Sequence, residues 1–494
     1  MPLTENNLVY RRILLRTSSA REFRVQGGIL DMNIVILGGG AAGATAAQFA
    51  RKEDRKAEIT VFEASEYPQY SRCGLPYALS GAIPEFESLI EFSAEWFKRN
   101  KIDLRLSTEV LKVEPDTNTI SFRGIDGDGK LQYDSLIFAT GARPSIPGIK
   151  GIAEGDAKKK GVFVFRGMDD AKSLKEWCGE KERKVLIVGA GLVGIEVAEA
   201  LHIMGHEVAI VEFLDSILPG MIDPDTAAPL LDKMSSLGIS ARTRALVEEI
   251  FGDGSVAGAV VKDRDTGPEE RIECDTVILA TGQKPSTSLA KDAGCALGRH
   301  GHIRVDERCE SSVPGIYAVG DCAEYLDFVT GAESPSGMGT TAVKMGEVAG
   351  INAAGGSFAL PRGFLNSRVS RLFGLEISAV GPISSSLTEA GIAQVQARVK
   401  GSTLPVYYPG GKDIMVKLTA SKEDGKILAC QIVGEEGAGL RVNLAAAMIL
   451  AGFTARELAL FETTYAPPVA PTVDVLATAA EAIMIKLRRS GKSG

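Results

Sequence analysis

The chain has 494 residues, which at roughly 150 residues per domain suggests about three domains. Its 45% hydrophobic and 24% charged content is ordinary for a soluble globular protein, and a net charge of −8 disfavours nucleic acid as a partner. Since no apolar run approaches the ~18 to 20 residues that cross a bilayer, we expect no membrane association.

Cysteine and histidine usage limits the compartment and the metal chemistry. The seven cysteines are odd in number, and their spacing suits neither a zinc site nor a disulfide framework. This pattern fits a reducing, cytoplasmic location. Only four histidines are present, and His202 and His206 have no third ligand in view, so we predict no metal site.

The first 31 residues differ in composition from the rest of the chain. They contain five arginines and two serines, and some targeting peptides are rich in both, but they also contain acidic residues and no apolar core region. We interpret 1–31 as a disordered extension, or as the product of translation from an upstream start, and exclude it from the fold.

A dinucleotide-binding pattern begins at Met32. The stretch NIVILGGGAAGATAAQFA is a β-branched strand, a Gly-x-Gly-x-x-Gly turn at Gly38, Gly40 and Gly43, and an Ala-rich helix. The first glycine allows the tight turn, the second lets the backbone approach a pyrophosphate, and the third lets helix pack on strand. Glu63 follows a second strand, 25 residues after Gly38, where a carboxylate accepts hydrogen bonds from a ribose.

Next along the chain comes a lone cysteine, Cys73, in the stretch YSRCGLPYAL. No second cysteine and no histidine lies nearby. The commonest fate of a free cysteine is burial in a core, but this position is some thirty residues past the glycine turn, which favours a functional thiol.

The same pattern then appears a second time. KVLIVGAGLVGIEVAEAL repeats the motif with Gly189, Gly191 and Gly194, and Glu212 follows the next strand. The strand-and-turn elements LIFATGARP, with Thr140 and Gly141, and VILATGQKP, with Gly282, follow their respective motifs. Asp321 comes later, in GIYAVGDCAE. This order indicates a second dinucleotide-binding domain inserted within the first.

The last part of the chain has a different pattern. KDIMVKLTASKEDGKILACQIVG, residues 412–434, predicts two strands joined by a turn, with an apolar helix after them.

From Met32 to near the C-terminus the chain resembles the pyridine nucleotide–disulfide oxidoreductases. The resemblance implies an α/β fold of two Rossmann-like domains, with the NAD domain inserted in the FAD domain, and a C-terminal α+β domain that forms a homodimer. The implied bounds are 32–160 with 283–355 for FAD, 161–282 for NAD(P)H, and 356–494 for dimerisation. The residues implied to hold FAD are Gly38, Gly40, Gly43, Glu63, Thr140, Gly141 and Asp321, with Asp321 on the ribityl chain. Those implied to hold the nicotinamide dinucleotide are Gly189, Gly191, Gly194, Glu212 and Gly282.

The single cysteine selects a branch of that family. Glutathione-reductase-like members have two cysteines four residues apart, whereas Cys73 has no such partner. CGLPY resembles the branch that contains coenzyme A disulfide reductases, NADH-dependent sulfur or polysulfide reductases, NADH oxidases and NADH peroxidases. The resemblance implies that the Cys73 thiolate lies against the flavin and reacts through a mixed disulfide, persulfide or sulfenic acid.

Three further features bear on the choice within the branch. Peroxidases and many oxidases have a histidine where this chain has Ala41, and often a tyrosine where it has Leu192. TTYAPPVAP resembles the C-terminal signature of the coenzyme A disulfide reductases, which implies that Tyr465 reaches the partner subunit's flavin site and protonates the departing thiolate. Tyr407, in VYYPGG, is the second tyrosine implied, although either aromatic could simply pack a turn or a strand.

The leading interpretation is an NAD(P)H-dependent flavoprotein that reduces coenzyme A disulfide, persulfide or polysulfide. Glu212 favours NADH, since a carboxylate would repel a 2′-phosphate, with NADPH still possible. An NADH oxidase that reduces oxygen is the alternative enzyme, and a flavin-bearing redox sensor without turnover is the alternative from another class.

Overall fold

The computed structural model describes residues 32–125, 127–152, 160–179, 181–335 and 337–489. The expected disordered extension at 1–31 lies outside the described residues. No described helix is both long and apolar enough to cross a membrane.

The strands are β1 Asn33–Leu37, β2 Glu58–Phe62, β3 Gln69–Tyr70, β4 Ile90–Phe92, β5 Ile102–Arg105, β6 Thr108–Glu114, β7 Thr119–Gly124, β8 Gly127–Gln132, β9 Ser135–Phe138, β10 Ala142–Pro144, β11 Val162–Val164, β12 Lys184–Val188, β13 Glu207–Val211, β14 Ser240–Arg242, β15 Ala245–Phe251, β16 Gly258–Asp263, β17 Glu269–Ile272, β18 Thr276–Leu279, β19 Gln283–Pro285, β20 Ile303–Arg304, β21 Ile316–Ala318, β22 Ala323–Leu326, β23 Glu333–Pro335, β24 Arg368–Leu372, β25 Leu375–Val380, β26 Gln394–Ser402, β27 Asp413–Ser421 and β28 Ile427–Gly434.

The α-helices are α1 Ala41–Glu53, α2 Leu75–Leu79, α3 Ala94–Arg99, α4 Met168–Cys178, α5 Leu192–Ile203, α6 Pro224–Ser236, α7 Ser288–Asp292, α8 Gly339–Ala353, α9 Ser384–Glu389, α10 Ala438–Ala451, α11 Ala455–Ala459 and α12 Val475–Arg489.

Two parallel sheets repeat one topology, which confirms the predicted fold class. The first has the order β21-β9-β1-β2-β5 and the second the order β11-β18-β12-β13-β14. In both, the strand before the glycine turn is central and its apolar residues are buried, as expected for a sheet covered on both faces. The strand order reverses beside that central strand, and ligands bind at such a point in open α/β sheets.

The two Ala-Thr-Gly elements contact each other, a pairing that the sequence pattern did not predict. β10 pairs with β19 in antiparallel register, with Ala142 opposite Pro285 and Pro144 opposite Gln283. The chain therefore leaves the first sheet and returns to it through two adjacent strands.

Small residues bring α8 against α1, the helix that follows the first glycine turn. A Cβ added at Gly346 would lie 2.4 Å from the Ala42 carbonyl oxygen, and one at Gly350 would lie 2.3 Å from that of Ala46. Larger side chains would separate the helices, so these glycines fix the position of the α1 N-terminus.

The C-terminal part contains a five-stranded antiparallel sheet in the order β24-β25-β28-β27-β26. The predicted strand pair in 412–434 is confirmed as β27 and β28, and the predicted apolar helix as α10. Apolar faces of α10, α11 and α12 pack on this sheet to form a separate core. Another core contains residues of the second parallel sheet, of α2, and of β24 and the turn after it, namely Leu372 and Phe373. The helix that follows Cys73 therefore shares a core with the second sheet and with the C-terminal part.

Candidate active site

The first glycine turn has a different steric demand at each glycine. Gly38 has a φ of +109° and lies so close to Ala139 that an added Cβ would be 2.2 Å from its carbonyl oxygen. A Cβ at Gly43 would lie 1.9 Å from the Gly38 oxygen, whereas one at Gly40 would meet nothing within 4 Å. Gly38 and Gly43 are therefore needed for the turn itself, and Gly40 leaves open space beside the helix N-terminus, where a pyrophosphate would fit.

Glu63 connects this turn to the end of β2 by hydrogen bonds. Its Oε2 accepts a hydrogen bond of 2.8 Å from the Gly39 N–H, and its Oε1 accepts one of 2.9 Å from the Ser65 N–H. A carboxylate has about four lone-pair positions, so acceptor capacity remains for a ribose diol.

The second turn repeats this geometry. Gly189 has a φ of +107°, a Cβ at Gly194 would lie 2.1 Å from the Gly189 oxygen, and one at Gly191 would meet nothing within 4 Å. Glu212 is buried and accepts hydrogen bonds from the N–H groups of Ala190, at 2.6 Å, and Leu214, at 2.7 Å. Both turns thus combine an open helix N-terminus with an acidic side chain suited to a dinucleotide.

A cavity of about 800 Å³ extends from the first glycine turn to Cys73. Most of the residues that the sequence assigned to FAD line it, namely Gly38, Gly40, Glu63, Thr140, Gly141 and Asp321. Gly43 is absent from this wall because it packs beneath the turn. The size of the cavity, its open glycine and its acceptors fit FAD.

Cys73 is set apart from the other cysteines by its position. It lies in a single 3₁₀ turn, Arg72–Gly74, directly before α2, and its side chain is exposed on the cavity wall. A Cβ added at the neighbouring Gly74 would lie 2.3 Å from Cδ2 of Leu89, so a larger residue there would displace the Leu89 side chain. All seven cysteines lie in described residues, and the other six are buried. Burial raises the pKa of Cys178 to about 11 and that of Cys274 to about 12.

Opposing influences act on the Cys73 thiol. Partial burial raises its pKa above the ordinary value, and the carboxylates of Glu196 and Asp321 raise it further. The guanidinium of Arg166 lowers the pKa. The net effect of burial and these charges is to favour the protonated thiol of Cys73 over the thiolate. A thiolate there needs further stabilisation, such as a bound flavin would supply.

Arg166 is a cavity residue that the sequence motifs did not reveal. Its Nη2 lies 2.7 Å from Oδ2 of Asp321, and its Nε donates a 3.3 Å hydrogen bond to the Ala142 carbonyl. It comes from the loop between β11 and α4, far in sequence from either partner. No local signal could have identified it.

A second missed group lies behind Cys73, where α5 meets α2 and β24. Glu196 accepts a 2.7 Å hydrogen bond from the Ser370 hydroxyl, and Glu199 accepts one of 2.6 Å from the Phe373 N–H. Burial raises the pKa of both carboxyls. Burial, followed by Glu196, also raises the pKa of Tyr77, the last residue of the CGLPY stretch.

Tyr407 and Tyr465 form a pair whose hydroxyl oxygens are 2.6 Å apart, although 58 residues separate them. Both are exposed, at 71% and 48% of their surface. Neither lines the cavity that contains Cys73 within the same chain. The structure brings the two predicted tyrosines together but not to the thiol of their own subunit.

The positions used to discriminate within the branch lie at the glycine turns. Ala41 begins α1 and lines the cavity, and Leu192 begins α5 at the second turn. Neither side chain can accept or donate a proton.

Comparison with known proteins bears on both halves of the chain. A family model described as pyridine nucleotide-disulphide oxidoreductase matches residues 32–339. The model of the dimerisation domain of that family matches residues 370–477.

Among the most similar relatives is an NADH oxidase of Methanocaldococcus jannaschii, 38% identical over 92% of this chain and 99% of its own. An NAD(P)H coenzyme A polysulfide/persulfide reductase of Pyrococcus horikoshii is 34% identical over 91% of this chain and 98% of its own. The solved structure of an NAD-dependent persulfide reductase from A. fulgidus has a TM-score of 0.87 at 33% identity, over 93% of this chain and 84% of that one.

Proposed function

The chain belongs to the pyridine nucleotide-disulphide oxidoreductase family, and from that premise we propose that it uses NADH and FAD to reduce a disulfide, persulfide or polysulfide linked to coenzyme A. The observation that carries the proposal is the position of Cys73. It is the single exposed cysteine of the seven, and it lies on the wall of the cavity that begins at the first glycine turn. A relative with a persulfide-reductase name at 34% identity supports this choice of substrate.

In this proposal the two glycine turns hold different cofactors. Gly40, Glu63 and Asp321 hold FAD in the 800 Å³ cavity, together with the remaining residues of that turn and with Thr140 and Gly141. Gly191, Glu212 and Gly282 bind the nicotinamide dinucleotide on the second sheet. The division at 32–160 with 283–355, 161–282 and 356–494 remains part of the proposal.

FAD, when bound, takes a hydride from NADH and supplies an electron pair at the sulfur site. The protein's own chemistry is nucleophilic. The Cys73 thiolate attacks one sulfur of the substrate disulfide, forms a mixed disulfide, and displaces the other sulfur as a thiolate. That leaving thiolate accepts a proton, and Tyr465 of the partner subunit is the proposed donor, with Tyr407 hydrogen-bonded to it.

A homodimer is part of the same proposal. The match to a dimerisation domain at 370–477 and the exposure of the tyrosine pair support a partner subunit that covers this surface. We also propose a cytoplasmic location, because seven unpaired cysteines suit a reducing compartment.

Oxygen reduction is the second candidate, favoured by the 38% identity to a relative named NADH oxidase. Against it, Ala41 leaves the first glycine turn without a group that could protonate a reduced oxygen species. A redox sensor without turnover is disfavoured, because the chain retains two complete glycine turns and an exposed cysteine.

The test is the substitution Cys73→Ser in flavin-loaded protein. We expect loss of NADH-dependent reduction of coenzyme A disulfide and polysulfide, with flavin reduction by NADH nearly unchanged. The long-wavelength absorbance of a thiolate beside the flavin should also disappear. Cys295→Ser is the matched control, because that thiol is buried and already contacts the Ser311 hydroxyl at 3.6 Å.

A Cys73→Ser protein that kept wild-type turnover of sulfur substrates would refute the assignment. Retention of NADH-dependent oxygen consumption alone, at wild-type rate, would instead favour the oxidase.

A further inference from the structure

A second cavity, of about 330 Å³, lies where the loop after β13 meets β22–β23 and the start of the C-terminal sheet. Gly220 and Met221 form one wall, Arg299 and residues 327–334 contribute another, and residues 366–390 complete it. The Arg299 Nε donates a hydrogen bond of 2.8 Å to Nε2 of the adjacent His300. It shares no lining residue with the flavin cavity, and it includes no residue of either glycine turn.

Arg368, at the start of β24, lines this space, and no acidic side chain of the described residues forms an ion pair with it. Its Nε is buried and has no hydrogen-bond partner in the part of the chain that the structure describes. Its single hydrogen bond within the described residues runs from Nη1 to the Gly220 carbonyl oxygen, at 3.1 Å. Burial lowers the pKa of Arg368, yet an arginine stays protonated in a protein.

The acids that line the cavity are committed elsewhere or lie at its rim. Oδ1 of Asp327 accepts hydrogen bonds from Thr330 and from the Val329 N–H within its own turn. Glu333 forms an ion pair with Arg304, and Glu389 is exposed. None of them forms an ion pair with Arg368 among the described residues, so the positive charge of this half-buried side chain remains uncompensated.

We propose that this cavity binds a small organic anion, a carboxylate or a phosphate ester, and that Arg368 is its anchor. A charge held partly out of water without a partner is costly, and an anion that enters the cavity lowers that cost. The planar guanidinium fork matches carboxylate and phosphate oxygens. Asn366, Ser334 and Ser386 line the same space and offer further donors to the anion.

The experiment measures thermal unfolding of the flavin-loaded protein in sodium phosphate, sodium citrate and sodium chloride at matched ionic strength. We expect a saturable rise in Tm with phosphate or citrate beyond that with chloride, because a ligand that binds only the folded state stabilises it by mass action. A response to phosphate alone indicates a phosphate ester as the natural ligand, and a response to citrate alone indicates a carboxylate.

Variants separate specific binding from the general stabilising effect of such salts. Arg368→Met should lose the saturable response and, in chloride, should be at least as stable as wild type, since it removes the uncompensated charge. Arg368→Lys should keep a weaker response, because it retains the charge without the fork. Arg371→Met, exposed on the same strand, should respond like wild type.

Three results would overturn the proposal. The first is an equal response in Arg368→Met and wild type, which would show a salt effect. The second is no response from the wild type to either anion. The third is competition between the anion and NADH, seen as a rise in the KM for NADH with anion concentration, which would show that the anion occupies the nucleotide site.

Discussion

Charges from three separate stretches of the chain converge on the thiol of Cys73. Glu196 and Asp321 hold its pKa up, Arg166 pulls it down, and Arg166 is itself paired with Asp321 at 2.7 Å. The sequence predicted the thiol and Asp321 because each belongs to a short motif. It could not predict Arg166 or Glu196 as neighbours, since only the packing of the second sheet unit against α2 brings them near.

The pH dependence of the thiol tests this arrangement. Glu196→Gln removes a negative charge that raises the Cys73 pKa, so the inflection in the rate of alkylation against pH should move to lower pH. Arg166→Gln removes the influence that lowers the pKa, so its inflection should move to higher pH. The measurement is the rate of reaction with iodoacetamide across a pH series, on flavin-loaded protein.

Glu199→Gln is the control for that series. Glu199 lies on the same helix and is also partly buried, but it is not among the main influences on the pKa of Cys73. Inflections that coincide in Glu196→Gln and wild type would contradict the electrostatic account.

Glu212 should set the preference between nicotinamide cofactors. In Glu212→Gln the carboxylate that repels a 2′-phosphate is gone, so the ratio of kcat/KM for NADH over NADPH should fall on the order of tenfold, about 1.4 kcal/mol. An amide has one acceptor oxygen, so the variant also loses one of the two hydrogen bonds from the N–H groups of Ala190 and Leu214. Activity with NADH should therefore also decrease. Steady-state kinetics with both cofactors measure this.

Asp215→Asn is the matched variant for cofactor choice, because Asp215 is a carboxylate of the same loop that pairs with Arg264. It should leave the ratio unchanged. A wild-type enzyme that already favours NADPH several-fold would disprove the role of Glu212.

At the scale of elements, the two strand–turn–helix units were the most predictable part of the molecule. Their signal is local: apolar strand residues, glycines at fixed spacing, and an acid after the next strand. The pairing of β10 with β19 was not predictable, because it joins stretches about 140 residues apart. The pairing is made by backbone hydrogen bonds, which leave no pattern in the side chains. The same holds for the second cavity, whose walls come from four separate stretches of the chain.

The glycines of the second turn should separate binding from folding. Gly191→Ala adds a methyl group in open space beside the helix N-terminus, so the protein should fold and carry flavin normally while the KM for NADH rises on the order of tenfold. Gly194→Ala places a Cβ 2.1 Å from the Gly189 oxygen, so stability should fall by about 1–3 kcal/mol. The Tm of each variant measures its stability, and steady-state kinetics with NADH measure its cofactor binding.

These two variants serve as controls for each other. If Gly191→Ala were the one that unfolded, or if both variants bound NADH like wild type, the roles assigned to these glycines would be wrong.

At the scale of the whole molecule, exposed apolar side chains flank Tyr465 in the sequence. Leu460, Val469 and Val473 are 73%, 73% and 53% exposed, and Tyr465 lies among them in the sequence. A surface of this kind is typical of an interface. The sequence predicted the tyrosines by resemblance, but their contact at 2.6 Å depends on how two loops of the C-terminal part meet.

A charge on this surface should impair assembly and turnover together. Leu460→Asp should weaken a dimer by about 2 kcal/mol or more if this surface is buried between subunits, and sulfur-substrate turnover should fall in parallel while flavin content is kept. Analytical ultracentrifugation and steady-state assay over a concentration series measure both quantities.

Ile203→Asp is the control, because Ile203 is 63% exposed at the end of α5, away from this surface in the sequence. A monomeric Leu460→Asp protein with full activity would contradict shared active sites.

The antiparallel pair β10–β19 has a consequence for how such a chain could have arisen. Because Ala142 and Pro285 lie opposite each other, the two ends of the chain segment between these residues are already neighbours in space. A gene segment for the intervening residues could therefore be gained, lost or exchanged while the flanking fold keeps its connection, with a short turn sufficing to join the two strands. The repeat visible in the glycine turns is what duplication of an ancestral nucleotide-binding gene, with insertion of one copy into the other at this point, would leave behind.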